Sequence, residues 1–382
     1  MEPSETLAAS ASGATRDRDT EAPARHLRVA IFSDSLPERN GTGAYYHDLA
    51  DQLREHVAAL RIFHPLGDVK HPRLAIPLPG DPTQKLISPN VPRIWRACRK
   101  LDPDIVVGVT PGPFGLLGRC LARRGKAAFI TAFHTQFDQL ARFYWNPVSR
   151  ALAIGYLRGV SRLLCARART TLINNSDLES EARDLGARTI DVMGTPVHSS
   201  FLSRPVSAPP AAIRQVCFAG RLAAEKNIEP IIDAARALPD IAFKIAGEGP
   251  LRETLKRAAS DLNNVQFLGW IDREQLEDLI DGSSLLLLPS HVETFGSVAL
   301  EAMARGRPAL VSSGAGIHDW EHLADGLFKL EPGEPIADAI DAIRRLPAAD
   351  LERRAESARA AAREFNDRAV RQWAEVLARH AP

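Results

Sequence analysis

From Leu27 onward, short β-branched runs alternate with helical patterns in two separate series, which restricts the chain to parallel sheets flanked by helices. The first series runs RVAIFS (28–33), AALRIF (58–63), DIVVGV (104–109), AAFITAF (127–133) and TTLIN (170–174). The second runs RQVCFAG, IAFKIAG, VQFLG, SSLLLLP and RPALVSS, each followed by a helical stretch. Between them HSSFLSRPVSAPPAAI (198–213) is rich in Ser and Pro and lacks periodicity, as a linker would. The expected fold is α/β, with two Rossmann-like domains, 27–197 and 214–365, facing each other across a cleft at the carboxyl edges of their sheets. Residues 1–26 read as a disordered tail, and 366–382 as an amphipathic helix around Trp373 and Val376, expected to pack back on the first domain.

Charge narrows the partners. The 48 Lys plus Arg nearly cancel the 47 Asp plus Glu, so no bulk attraction to nucleic acid is expected and any anionic partner must be met by local charge. Cys98, Cys120, Cys165 and Cys217 are far apart with no CxxC pair, which suits free thiols in a reducing compartment rather than a disulfide frame or a zinc site. No uncharged apolar run approaches the roughly 18 residues of a membrane span, and the acidic, Ser/Ala-rich start is unlike a signal peptide. A cytoplasmic protein is expected.

Three loops of the second domain hold unusual polar residues. After LLLLP comes HVETFGSVALEAMARGRP, with Glu293 and Glu301 flanking Phe295, Gly296 and Ser297. A helix starting near Gly296 would aim its unpaired amides and positive dipole end at the cleft, suiting a phosphate. Glu301 would then lie about one turn inside, where it could meet a ribose, while Glu293 stays in the loop. After VCFAG, Gly220 and Arg221 precede LAAEKN, so that Arg221 and Lys226 can clamp a diphosphate, Arg as a planar fork and Lys as a point charge. The third loop, Gly247-Glu248-Gly249-Pro250, supplies the tight backbone needed for close ligand approach.

Together these loops resemble the retaining nucleotide-sugar glycosyltransferases of family four, whose architecture is GT-B. The resemblance rests on GRLAAEKN, IAGEGP, VQFLGWI, LLLLPS and ETFGSVALE followed by AMARGRP, in the family's order over about 170 residues. It reaches the first domain more faintly. There NGTG (40–43), the end of the turn-rich SLPERNGTG, matches the family's glycine loop at Gly41 and Gly43, and AFHTQFD places His134 as a cleft histidine.

The resemblance implies that Arg221 and Lys226 bind the donor diphosphate and that Glu301 holds the ribose. Glu293, with the amides of Phe295, Gly296, Ser297 and Val298, would hold sugar hydroxyls and the distal phosphate, and His134 would contact the sugar near the reacting carbon. Gly220 and Glu248 belong to the same donor loops. Two departures fall at the hinge and a helix start: Gly194-Thr195-Pro196-Val197-His198 replaces the family's Gly-Val-Asp, and Asn227 follows the Glu-Lys pair in place of Gly.

No cofactor or metal is expected. The one DxD-like run, Asp102-Pro103-Asp104, precedes a strand at the amino edge and reads as a turn. A dehydrogenase is disfavoured because Tyr46 stands where GxGxxG needs its third Gly, and AALRIF ends without an acidic residue.

For the acceptor, residues 139–176 contain no Asp or Glu and six Arg, including Arg142. A helical wheel groups Leu152, Tyr156, Leu157, Val160, Leu163 and Leu164 on one face and Arg150, Arg158 and Arg162 on another, a pattern able to lie on an anionic bilayer. FHTQFD with Tyr144-Trp145 looks most like the subgroup that builds mannosyl, glucosyl or sulfoquinovosyl glycolipids. The expected partners are a nucleotide-diphosphate sugar, GDP-mannose or a UDP-sugar, and a lipid or lipid-linked acceptor, with peripheral contact to the inner face of the cytoplasmic membrane and no nucleic acid. The alternatives are a soluble saccharide or small-molecule acceptor and a noncatalytic sugar-nucleotide-binding protein. Trp270, at the VQFLG strand end, is open to two readings, flanking the base or filling a packing role.

Overall fold

The computed structural model describes residues 23–36, 41–65, 75–78, 81–134 and 147–382. Strands β1 (Arg28–Phe32), β2 (Ala59–Phe63), β5 (Ile105–Gly108), β6 (Ala128–Ala132), β7 (Thr171–Ile173) and β8 (Ile190–Val192) form a parallel sheet in the order β2-β1-β5-β6-β7-β8. The apolar runs sit at its centre because a parallel sheet is covered on both faces. An antiparallel pair, β3 (Ala75–Leu78) and β4 (Asp81–Ile87), stands outside it. That pair is absent from the sequence reading because DPTQKLI opens on Asp and Pro and has no clear alternation. The short edge strand β8 was missed as well, its three residues being only partly covered.

Helix α1 (Gly41–Leu53) lies on one face of this sheet. Helices α2 (Val91–Leu101), α3 (Pro113–Gly125) and α4 (Pro147–Cys165) cover the other, as right-handed crossovers require, and α5 (Leu178–Asp184) joins β7 to β8. The glycine loop needs correction. Gly41 and Gly43 form the first turn of α1 rather than the end of a loop, because the helical spacing of buried Tyr45, Tyr46, Leu49 and Leu53 extends back through them. Asp102-Pro103-Asp104 is a turn in which Arg28 binds both carboxylates, at 2.9 and 3.0 Å.

The second sheet has the order β11-β10-β9-β12-β13-β14, built from β9 (Gln215–Ala219), β10 (Ala242–Ala246), β11 (Val265–Gly269), β12 (Leu285–Leu288), β13 (Ala309–Ser312) and β14 (Leu327–Leu330). The last of these was not foreseen. The 198–213 stretch is also more than a linker: α6 (Ser199–Ser203) buries Phe201 in the second domain's core. The AMARGRP run explains this. The guanidinium of Arg305, fully buried, donates to the carbonyls of Arg204 (2.8 Å) and Pro205 (2.7 Å) and to Asp281 (2.8 Å). Arg307 donates to Asp281 O at 2.8 Å and to Ser207. Removing the fully buried Arg305 would leave the half-buried Asp281 and the carbonyls of Arg204 and Pro205 without their donor, so Arg305→Ala is expected to cost about 3 to 5 kcal/mol, read as a lowered denaturation midpoint of the second domain.

Around the sheet lie α7 (Glu229–Ala237), α8 (Arg252–Ala258), α9 (Arg273–Asp281), α10 (Ser297–Ala304) and α11 (Ile336–Arg344). The final helix, α12 (Ala348–His380), is one rod, so a boundary between 365 and 366 does not exist; no Gly or Pro interrupts it. Asn366 within it accepts from Val197 N (2.9 Å) and donates to Gln52 (2.9 Å), which satisfies a buried polar side chain where the rod crosses from one domain to the other. Beyond the crossing, Trp373 Nε1 donates to Tyr45 Oη at 2.8 Å and Arg379 pairs with Asp191. The domains also meet at Ser176 with Asp319 (2.7 Å) and Asp48 with Arg273 (2.7 Å).

Candidate functional site

The loops after β9, β10 and β12 converge at the carboxyl edge of the second sheet. Leu222 N donates to Glu248 O, Leu251 N to Leu222 O, and Gly247 N to Gly269 O, at 2.9, 2.9 and 2.7 Å. A Cβ on Gly247, whose φ is +131°, would stand 1.8 Å from Gly220 O, and one on Gly249 would stand 2.3 Å from Leu222 O. The two glycines of GEGP therefore allow close approach to the Arg221 loop. Glu248 is half exposed and pairs with Arg252 at 3.3 Å.

Lys226 closes a short 3-10 turn whose cap, Asn227, has φ +51°. This is the left-handed region, which Gly enters freely and Asn tolerates, so Asn227 preserves the backbone that the family's Gly would adopt. Its side chain also donates to Pro289 O at 3.1 Å, tying the turn to the strand end of β12. Lys226 Nζ lies 2.6 Å from Glu293 Oε2, and Arg221 lies 3.5 Å from buried Glu225. Lys226 has three N–H groups and Arg221 five, so each can take a phosphate oxygen beside its carboxylate.

Gly296, at φ +103°, caps α10 without a side-chain acceptor. The amides of Ser297 and Val298 open the helix and have no intrahelical partner. The Phe295 ring is buried against Phe365, so only its main chain can serve a ligand. The loop is pinned from behind by Gly316 N to Glu293 O (3.2 Å) and Ile317 N to Phe295 O (2.9 Å).

Glu301 sits one turn into α10, and burial pushes its carboxyl up to about 8, with Asp48, Arg273 and Glu277 as the charged neighbours. A proton held in the folded state and released in the unfolded one gives stability that is complete below the ordinary value of 4.5 and is lost as pH rises to about 8. The slope is roughly 1.4 kcal/mol per pH unit. Glu301→Gln is expected to flatten this dependence, so melting curves at pH 5 and pH 8 should differ less in the variant than in the wild type.

Across the cleft, His134 follows β6. It is buried, its Nε2 lies 2.8 Å from Tyr46 Oη, and its ring packs on Tyr45 and Tyr46. Burial pulls it down to about 4, so the imidazole is neutral. The structure therefore brings Arg221, Lys226, Glu293, Gly296 and Ser297 together on one sheet edge, and places His134 with Gly41 and Gly43 on the other.

Two groups were not anticipated. Asp48, on the buried stripe of α1, is pushed up to about 6 by burial and reaches Arg273 of the other domain. Its signal is an acid set between Tyr45 and Leu49. Asp34 accepts from Phe114 N (3.0 Å) and Thr110 Oγ1 (2.6 Å) and caps α3, whose own Gly112 has no side chain to do so; no local pattern announces it.

The wheel of α4 also needs correction. The helix turns Ser161, Leu164 and Cys165 inward, leaving Leu152, Tyr156 and Leu163 exposed, while Arg150 is half-buried and does not share the outer face of Arg158 and Arg162. Tyr144, Trp145, Arg142 and residues 1–22 of the tail lie outside the described residues. No cluster of three His, Cys, Asp or Glu suited to a metal occurs among the described residues.

Residues 39–201 match Glycosyltransferase Family 4, and residues 202–364 match Glycosyl transferases group 1. The chain belongs to the family-four glycosyltransferases. It is 31% identical over 242 residues to a GDP-mannose-dependent alpha-(1-6)-phosphatidylinositol dimannoside mannosyltransferase of Mycobacterium tuberculosis, covering 60% of this chain and 63% of that relative. Its fold matches sucrose-phosphate synthase from Thermosynechococcus elongatus with a TM-score of 0.70 at 19% identity, over 92% of this chain and 98% of that one. HepE from Anabaena, solved in complex with UDP-glucose, matches with a TM-score of 0.68 at 18% identity, over 93% and 100%. The two facing sheets are thus those of the GT-B architecture. No helix among the described residues is long and apolar enough to cross a membrane.

Proposed function

We propose that the protein transfers a hexose from a nucleotide-diphosphate sugar, GDP-mannose or a UDP-sugar, to a lipid or lipid-linked acceptor, with retention of configuration and without a metal ion. The observation that carries this reading is the pair of cations, Arg221 against Glu225 and Lys226 against Glu293, on the sheet edge that also bears the open first turn of α10. As the bond between the anomeric carbon and the diphosphate breaks, negative charge grows on the leaving oxygen. Preorganised N–H groups of Arg221, Lys226, Ser297 and Val298 meet that charge in a site sheltered from water. The acceptor oxygen bonds to the anomeric carbon, and its proton passes to the departing phosphate. Glu293 orients both Lys226 and the sugar hydroxyls, and Glu301, protonated at neutral pH, can donate to as well as accept from the ribose. Trp270, 57% exposed beside the β11 end, would flank the base.

The mannosyl lipid acceptor of the mycobacterial relative supports the choice of acceptor class. A panel of sugar nucleotides tested in chelator for thermal stabilisation and for transfer to polyprenyl phosphate and phosphatidylinositol checks the whole reading. Stabilisation and lipid labelling by one donor, unaffected by chelator, are expected; activity restored only by manganese would replace the cationic clamp with a metal.

A further inference from the structure

His134 and Tyr46 meet as a buried pair, Nε2 to Oη at 2.8 Å. Burial keeps both neutral, pulling the imidazole down to about 4 and pushing the phenol well above its ordinary value. The bond between two neutral groups holds one proton, which can sit on either atom. The phenol is the more acidic donor and the imidazole nitrogen the more basic acceptor, so Tyr46 donates and Nε2 accepts. The reverse arrangement would strand a buried hydroxyl hydrogen without an acceptor. Tyr46 Oη has no other hydrogen-bond partner among the described residues, and its ring packs against those of Tyr45 and Trp373.

The other side of the ring agrees. Strands β6 and β7 pair with Ala132 opposite Leu172, and the same register carried forward sets Asn174 beside His134. Nδ1 of His134 and Oδ1 of Asn174 are both buried, and the two approach without closing a full hydrogen bond. A hydrogen on Nδ1 gives that carbonyl oxygen a donor to face, and Asn174 accordingly raises the His134 pKa against the pull of burial. A hydrogen on Nε2 would instead set two acceptors against each other there.

We propose that Tyr46 is a positioning residue for sugar transfer: its hydroxyl donates to Nε2 of His134 and holds the imidazole in the Nδ1–H form, so that neither ring nitrogen offers a free lone pair. Which nitrogen carries the hydrogen is set by the bond that the other one makes. His134 then meets the sugar as a neutral ring of fixed orientation and does not act as a base. The acceptor's proton is left to an oxygen of the departing diphosphate, as the acceptor oxygen bonds to the anomeric carbon. The role rests on the reading of His134 as the sugar contact. The tautomer does not, and it is measured without substrate.

The test is long-range proton–nitrogen correlation NMR of the full chain, isotope-labelled at both histidine ring nitrogens, with the His134 signals identified by their loss in His134→Ala. A protonated, pyrrole-type Nδ1 and a hydrogen-bonded, pyridine-type Nε2 are expected. Tyr46→Phe removes the hydroxyl and keeps the ring, so the Nε2 signal should leave its hydrogen-bonded position. With whichever of GDP-mannose and UDP-glucose the wild type turns over, Tyr46→Phe should lower kcat about tenfold and change KM little. In the His134→Ala background the same change should have no further effect, because Tyr46 acts through the ring. Tyr45→Phe removes a hydroxyl bonded to Trp373 and should leave both the His134 signals and kcat as they were. A hydrogen on Nε2, or on both nitrogens, at neutral pH would overturn the proposal. So would wild-type kcat in Tyr46→Phe, or a loss of equal size with and without His134. Wild-type kcat in His134→Ala would overturn the sugar-contact reading and the role with it, with the tautomer still visible by NMR.

Discussion

Arg221→Ala and Lys226→Ala are each expected to lower donor turnover about 100-fold to 1000-fold, the usual loss when one preorganised donor to a developing anion is removed. The two should differ in kind. Lys226 lies 2.6 Å from Glu293, so its loss also frees Glu293 to repel the diphosphate, and both KM and kcat should suffer. Arg221 has a longer contact with Glu225, at 3.5 Å, and its loss should fall mainly on kcat. Both side chains sit at the cleft surface, outside the apolar cores, so the melting temperature should scarcely move. Wild-type kcat in both variants, with an unchanged melting curve, would remove the clamp from the mechanism.

The second large effect is structural. Trp373 is fully buried, donates to Tyr45 at 2.8 Å and meets the Tyr46 ring edge-on at 6.0 Å, while Tyr46 in turn contacts His134. Trp373→Ala is expected to cost about 3 to 5 kcal/mol, through lost apolar contact and the cavity left behind. Trp373→Phe keeps most of that contact and should cost about 1 kcal/mol for the hydrogen bond. Because α12 starts in the second domain and ends on the first, the alanine variant should melt in two steps where the wild type melts in one. Denaturation followed by Trp fluorescence and by far-ultraviolet circular dichroism would separate them.

The two sheets were legible because ten apolar runs, five per series, are strands of parallel sheets, and the central ones are buried on both faces and stand out by composition alone. Arg221, Lys226, Glu293 and Gly296 were legible because each sits directly after such a run, where a parallel sheet places its ligand loops. What escaped depends on pairing across long stretches of sequence. Asp48 finds Arg273, Asp34 finds the start of α3, and Asn366 finds Gln52 and Val197; for none of them does the local pattern name the partner. The contact of GEGP with Gly220 to Leu222 escaped for the same reason, since that backbone comes from a different loop. On α4, the wheel sorted residues by polarity, while packing against α3 chose the buried side and left Leu152 and Tyr156 in solvent.

The most direct measurement is calorimetric binding, in chelator, of nucleoside diphosphates against the corresponding monophosphates. The diphosphate should bind about tenfold tighter or more, and that margin should vanish in the Arg221→Ala/Lys226→Ala double variant. Equal affinity for the two in the wild type, or a margin that appears only when a divalent cation is added, would contradict a clamp made of side chains and a helix tip.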